Sequence, residues 1–391
     1  MTEHGRREYA DAVRVRYRAA SKPEKGRILD EYCRTTGSHR KAAIRRLRAG
    51  APPARGGRGG RPRQYGRELL GPLERLWEMS GRLCGKLWVA WLTTALPALE
   101  QHGAITVLPT QRKQLVALSA ATVDRLLRPV RQRRSRQPRR PGAALGALKA
   151  QVAVRTWSEW TGVAPGALQG DLVLHCGEST DGFYLSTLCA VDVATSWTEL
   201  VAVWGVGQER VGAAVHHVAA QLPMPLRAWH SDNGSEFLNR GLVDWCRRHQ
   251  IACTRGRPYR KNDQAWVEQK NGLIVRRLVG YDRFTSRAAY ATLHQLYRLL
   301  RLHLNFFRPV RKLLSKHRVG AKIVKRYDAA QTPYQRLLAA GPLPPAARAA
   351  LEQQFLALNP ATLAAQVQRT LEQLWTLADT PRRAPAPEGQ A

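Results

Sequence analysis

Apolar residues recur at helical spacing through residues 8–48, as in Ile28, Leu29 and Tyr32 and again in Ala43, Ile44 and Leu47, with Thr36-Gly37-Ser38 between the two runs. Two helices around a glycine-containing turn are predicted there. Gly and Pro then dominate residues 51–65, which read as a linker. Helical period returns over 67–128, where Ser119 is placed to cap the last helix, and is lost again in an arginine- and proline-rich stretch at 128–141. From there the pattern predicts strands at 171–176, 183–191 and 197–204, a helix at 207–221, a strand at 226–231, a helix at 235–249 and a strand at 251–255. Three strands joined by tight turns form an antiparallel meander, and later strands separated by helices run parallel to the first. An amphipathic helix at 286–307 (Leu293, Leu296, Tyr297, Leu300), a basic run at 311–326 and a helical hairpin at 346–378 follow, and the tail from Pro381 reads as disordered.

Charge narrows the choice of partner. The 391 residues carry 63 Lys plus Arg against 29 Asp plus Glu, a formal charge of +34, which is the footprint of a polyanion binder. With that charge, residues 1–50 read as a helix-turn-helix whose second helix presents Arg40, Lys41 and Arg45 to a major groove, the alternative being a solvated basic hairpin. Arg58, Arg61 and Arg63 in the 51–66 arm resemble a minor-groove hook. An extra glycine interrupts that hook's usual core, so the arm predicts phosphate contact and not base preference. Residues 67–127 read as a second helical DNA-binding domain or as packing helices. Arg133 and Arg134, within the 128–142 linker, are placed to follow a DNA backbone.

Six scattered cysteines form no paired motif, which argues against a zinc site or disulfide framework. The longest apolar stretch, Leu87 to Leu99, is 13 residues with a proline inside, too short to span a bilayer, and no signal peptide opens the chain. Neither a membrane nor a small-molecule substrate is expected.

Three acids stand in distinctive settings. Asp171 interrupts an apolar strand, where a lone carboxylate is costly to bury without a cation. Asp232 ends an extended run at Asp-Asn-Gly, at the carboxyl end of a strand where open α/β sheets place ligands. Glu268 lies on a helix that Asn262 or Asp263 can cap. Asp192 reads as a turn acid and Glu236 as a residue of a helix start. His175 and His230 read either as buried structural histidines or as bases, and no Gly-x-Ser-x-Gly elbow supports a serine hydrolase.

These motifs resemble the catalytic core of the DDE transposases of bacterial insertion sequences and of retroviral integrases. Thirty-five residues separate Asp232 from Glu268, Glu236-Phe237 follows Asp232-Asn233-Gly234, and Tyr259 and Gln264 fall at the family's spacing. The resemblance implies an α/β, ribonuclease H-like mixed five-stranded sheet with flanking helices over residues 150–310. All-α regions precede it, and a basic and helical C-terminal region, 311–391, follows. It further implies two Mg²⁺ ions, with Mn²⁺ substituting, held by Asp171, Asp232 and Glu268. DNA contacts are expected from Tyr259, Lys261, Asn262, Gln264, Lys270, Arg276 and Arg277. Gly272 stands where integrases often carry a basic residue, so Lys270 or Arg276 is expected to take over that contact. The His-His-Cys-Cys zinc module of retroviral integrases is absent.

The expected function is that of a transposase, at least dimeric on DNA, in the bacterial cytoplasm with the nucleoid. It would bind terminal inverted repeats, free 3′-OH ends and join them to target DNA. A DNA-binding regulator with an inactive core and a structure-specific nuclease are the rivals.

Overall fold

The computed structural model describes residues 3–49, 65–132, 153–154, 160, 162–257, 261–319, 322–341 and 343–379. The chain divides into two compact units, 1–66 and 67–391. The first is a three-helix unit, α1 (Glu3–Ala19), α2 (Lys22–Thr36) and α3 (Arg40–Arg48). Its apolar stripes meet in a core of Val13, Tyr17, Ile28, Leu29, Tyr32, Ala43 and Leu47. Gly37, at φ 68°, ends α2 in the left-handed conformation that glycine adopts without strain.

The second unit opens with helices α4 (Leu70–Met79), α5 (Gly85–Gln101), α6 (Pro109–Ala117), α7 (Ala120–Leu126) and α8 (Arg128–Gln132). Ser119 caps α7 by accepting from the Thr122 amide, as its position in the sequence predicts. The sheet follows: β1 (Ala153–Val154), β2 (Ala167–His175), β3 (Leu185–Asp192), β4 (Thr198–Val203), then α9 (Gln208–Gln221), β5 (Ala228–Ser231), α10 (Arg240–Arg248) and β6 (Ala252–Arg255). Its order is β1-β6-β5-β2-β3-β4, with β2, β3 and β4 antiparallel and β5 and β6 parallel to β2. These are the five predicted strands of a ribonuclease H-like sheet, and the two-residue β1 adds a sixth at the edge. Helix α10 starts at 240 and not at 235, because the Asn239 side chain caps it by accepting from the Leu242 amide.

After β6 come a 3-10 turn (Lys261–Gln264), α11 (Ala265–Lys270), a π-helical segment (Asn271–Arg276), α12 (Arg287–Leu302) and a second π-helical segment (His303–Phe307). The predicted 286–307 helix loses its α geometry after 302. Asn305 there bonds both ways with the Thr198 backbone, accepting its N–H at 2.8 Å and donating to its carbonyl at 2.9 Å. The basic run, for which no strand is predicted, forms a β-hairpin, β7 (Leu313–Val319) and β8 (Lys322–Tyr327). Helices α13 (Pro333–Ala339), α14 (Pro345–Ala357) and α15 (Pro360–Thr376) close the described chain.

Side chains of β2 alternate between two cores. Leu168 and Leu172 pack with Leu188, Val215, Trp229 and Phe237 on the side of α9 and α10. Val173 packs with Cys189, Val267, Leu293 and Leu300 on the side of α11 and α12. By the same alternation Asp171 belongs to the α11 face.

Candidate active site

Two devices bring the three acids to one end of the sheet. The first is register. Ala167, Leu168 and Gln169 of β2 pair with Ala228, Trp229 and His230 of β5, and carrying that register two residues further sets Asp171 opposite Asp232. Gly170 makes the approach possible, since a Cβ there would lie 2.2 Å from the Trp229 ring. The second device is Gln169, fully buried, which donates to the Asp263 carbonyl at 2.8 Å and accepts from the Val267 amide at 3.4 Å. It fastens the start of α11 to β2, and Glu268, exposed on α11, follows Val267 directly. The Asp-Asn-Gly turn is held to β6: Asn233 donates to the Gly256 carbonyl at 2.9 Å and accepts from Arg255 at 2.9 Å.

Neither Asp263 nor Asn262 caps α11; Gln264 occupies the N-cap position. The Asp263 carboxylate is buried and takes the Arg257 guanidinium at 2.9 Å through both Nε and Nη2 instead. A buried carboxylate gains more from that bidentate cation than from an amide.

Asp171 accepts from the Leu172 amide at 2.8 Å and from Asn271 Nδ2 at 2.7 Å. Burial foremost, then the charge of Asp232, with Glu268 and Glu236 adding, pushes its carboxyl up to about 8. Asp232, whose Oδ1 accepts from the Gly234 amide, is also raised by burial. Glu236 does not begin a helix. It lies in the turn before α10, folded back over Gly234, and its carboxyl is raised by burial and then by Asp232. Among the described residues no three His, Cys, Asp or Glu side chains stand close enough to enclose an ion. The donor set nonetheless fits hard divalent cations. It consists of carboxylate oxygens whose mutual repulsion a cation relieves, beside Asn271 Oδ1, which is buried without a partner.

The other acids and histidines are structural in setting. Asp192 is fully buried and accepts from the Gly166 amide and from the amide and hydroxyl of Thr195. His175 hydrogen bonds to Thr187 at 2.7 Å, and burial lowers it to about 3. His230 bonds to Thr254 at 3.0 Å and meets the Trp160 ring edge-on.

The candidate DNA contacts are dispersed. Arg40, Lys41 and Arg45 are exposed on α3, with Arg40 paired to Asp30. Arg277 is exposed and Arg276 half-buried against the Tyr281 ring at 4.8 Å, while Gln264 and Lys270 are turned inward. Arg58, Arg61, Arg63, Arg133, Arg134 and Tyr259, and the side chains of Lys261 and Asn262, lie outside the described residues. Asn271 escaped the sequence reading, and its position one turn after Glu268 was the available signal. Among the described residues no helix is long and apolar enough to cross a membrane.

A family model described as integrase core domain matches residues 164–261. The uncharacterized protein y4rM of Sinorhizobium fredii (strain NBRC 101917 / NGR234) is 44% identical over 338 residues, covering 85% of this chain and 94% of its own. The catalytic core domain of BIV integrase is 18% identical, with a TM-score of 0.29, over 44% of this chain and 94% of its own. The HTLV-2 integrase catalytic core domain, in complex with magnesium in a dimeric form, gives the same identity and TM-score over 38% and 92%.

Proposed function

The chain belongs to the integrase-core family, and on that premise we propose that it is a DDE transposase of a bacterial insertion sequence. An integrase core is a polynucleotidyl-transferase domain. The observation that carries the finer reading is the β2–β5 register, which sets Asp171 opposite Asp232 while Gln169 fastens the Glu268 helix alongside.

Asp171, Asp232 and Glu268 would hold Mg²⁺ or Mn²⁺, two ions per site, which when bound activate the attacking oxygen and stabilise the leaving one. Asn271 keeps Asp171 Oδ2 oriented, and the hydrogen bonds of Asn233 fix the turn that presents Asp232. Water first opens one phosphodiester at each element end, leaving a 3′-OH. That oxygen then forms a new bond to a target phosphorus as the target's own P–O3′ bond breaks, so no external energy source is needed. Exposed Arg40, Lys41 and Arg45 would read the terminal repeats. Arg58, Arg61, Arg63, Arg133 and Arg134 would follow the backbone. Tyr259, Lys261, Asn262, Arg276 and Arg277 would hold the ends around Glu268, whereas the buried Gln264 faces inward and is not among them. Joining two ends to one target requires two active sites, hence at least a dimer on DNA.

The test is a supercoiled donor plasmid carrying the element ends, incubated with target DNA in Mg²⁺ and with chelator. Metal-dependent joined products are expected. Nicks or breaks without joining would indicate a nuclease, and end binding without any product a regulator.

A further inference from the structure

Two of the cysteines, Cys246 and Cys253, project into one layer of the fold. Helix α10 buries Leu242 and Cys246 on its sheet side, and Cys246 is 0% exposed. Register and alternation turn Cys253 the same way. It pairs with Trp229 across β5 and β6, and Trp229 packs in the core beneath α9 and α10, where Cys253 joins it. Residues 249–251 alone connect helix to strand. Gln250 there takes φ 57°, and the Ile251 amide donates to the Cys246 carbonyl at 2.8 Å, which folds the strand back beneath the last helical turn. The Cys246 thiol donates to the Cys253 sulfur. That hydrogen bond lowers Cys253 and, ahead of burial, raises Cys246, so the half-buried Cys253 is the better nucleophile of the two. The other four cysteines sit on different elements: Cys33 on α2, Cys84 before α5, Cys176 after β2 and Cys189 on β3.

We propose that Cys246 and Cys253 form a redox-modification site, which a hydroperoxide oxidises to an intramolecular disulfide, displacing the strand that holds the Asp232 turn. The Cys253 sulfur attacks the peroxide: an S–O bond forms, the O–O bond breaks, and the leaving oxygen departs with a proton as water or alcohol. Cys246 then gives up its proton, its sulfur bonds to that of Cys253, and the S–O bond breaks to release water. Two thiols lose two electrons and one peroxide gains them. A thiol reductant reverses the reaction by exchange. The consequence follows from what β6 holds. Bonded sulfurs stand closer than hydrogen-bonded ones, so α10 or β6 must move. Just beyond Cys253, Arg255 donates to Asn233 Oδ1 and Asn233 donates to the Gly256 carbonyl, the two contacts that fix the Asp-Asn-Gly turn. The disulfide rests on the thiols alone, and its effect on cleavage rests on the transposase reading.

The experiment treats the full chain with hydrogen peroxide and then with dithiothreitol, and reads non-reduced peptides by mass, hydrogen exchange over 228–238 and cleavage of element ends in Mg²⁺. Oxidised wild type should yield a Cys246–Cys253 cross-link two hydrogens lighter than the reduced pair, with the other four cysteines still open to alkylation after denaturation. Exchange over 228–238 should change. Cleavage should fall about a hundredfold, the cost of displacing a reacting group by about 1 Å, and dithiothreitol should restore all three. Cys253→Ala should form no cross-link and keep the reduced exchange and rate in peroxide. Cys246→Ala should stop at the sulfenic acid on Cys253, which dimedone traps. No cross-link in the wild type, or one joining other cysteines, would overturn the site. A cross-link with unchanged exchange, or with the cleavage rate of the reduced protein, would overturn the displacement of the turn. A cross-link with altered exchange in a protein that cleaves no DNA in either state would leave the redox site standing and remove the transposase reading.

Discussion

Two pairs of acids on one sheet, one buried and one half-buried, have opposite surroundings. Glu199 on β4 is 1% exposed and accepts from Trp197 Nε1 at 2.7 Å and from Arg301 Nε at 2.7 and 2.8 Å. Asp192, at the end of β3, takes three donors from neighbouring loops. Asp171 and Asp232 face each other with two amides and one Asn side chain between them, and no cation among their hydrogen-bond donors. Burial raises all four carboxyls, so the direction of a shift does not separate structural acids from candidate ligands. Their partners do. A structural carboxylate is saturated by its own fold, whereas a candidate ligand carboxylate is left short of positive charge.

The sharpest break of that comparison is Asp171→Asn. If Asp171 helps to hold two cations as proposed, removing its negative charge should lower cleavage by about a thousandfold or more, the scale on which a fixed electrostatic contact acts in a transition state. Because the carboxyl is already forced toward its neutral form, the substitution should leave the urea midpoint equal or higher. Cleavage within tenfold of wild type, measured beside an intact gel shift, would remove Asp171 from the site.

Glu199→Ala tests the other half. It leaves the Arg301 guanidinium, 18% exposed, with the Gln221 carbonyl as its remaining hydrogen-bond acceptor among the described residues, and should cost about 3 kcal/mol in urea unfolding. Metal dependence of the remaining folded protein should be unchanged. A shifted Mg²⁺ requirement at full stability would mean that the saturated acid is not merely structural.

Histidine shows a third way to bury a titratable group, by keeping it neutral. Burial, and then Arg308, lowers His303 to about 4 against an ordinary value near 6.5. The unfolded chain therefore binds the proton more readily, and the stability His303 contributes is full above about pH 6.5 and lost as pH falls toward 4. Between pH 7.5 and pH 5 that loss is about 2 kcal/mol, and His303→Gln should remove it from the difference between two urea titrations. A pH difference identical in wild type and variant would show that His303 does not carry it.

Much of this was legible because apolar spacing and acid spacing agreed. The five main strands, Asp171 within one of them and Asp232 just past the end of another, follow from short apolar runs ending at turn residues. The 313–327 hairpin was not legible: its register sets Lys316 against Lys325 and Arg318 against Ile323, so cations occupy it without the alternating apolar face by which a strand is recognised. Nor could the role of Asp263 be read, since its salt bridge to Arg257 depends on where a loop returns. The π-helical segments were equally hidden, because tertiary hydrogen bonds such as those of Asn305 set them.

Glu236 is the hardest test of the contrast, because it belongs to neither set. Its carboxyl is half-buried, raised by burial and by Asp232, and contributes in turn to the rise at Asp171. If it acts only through that field, Glu236→Gln lowers repulsion among the site acids without removing a ligand. Cleavage at saturating Mg²⁺ should then change by less than about tenfold, the effect of roughly 1.4 kcal/mol on a barrier. The Mg²⁺ concentration for half-maximal rate should rise only modestly, since the total negative charge attracting the ions falls by one. A loss as large as that of Asp171→Asn would make Glu236 a fourth ligand, and a half-saturating Mg²⁺ concentration identical to wild type would show that its charge does not reach the ions.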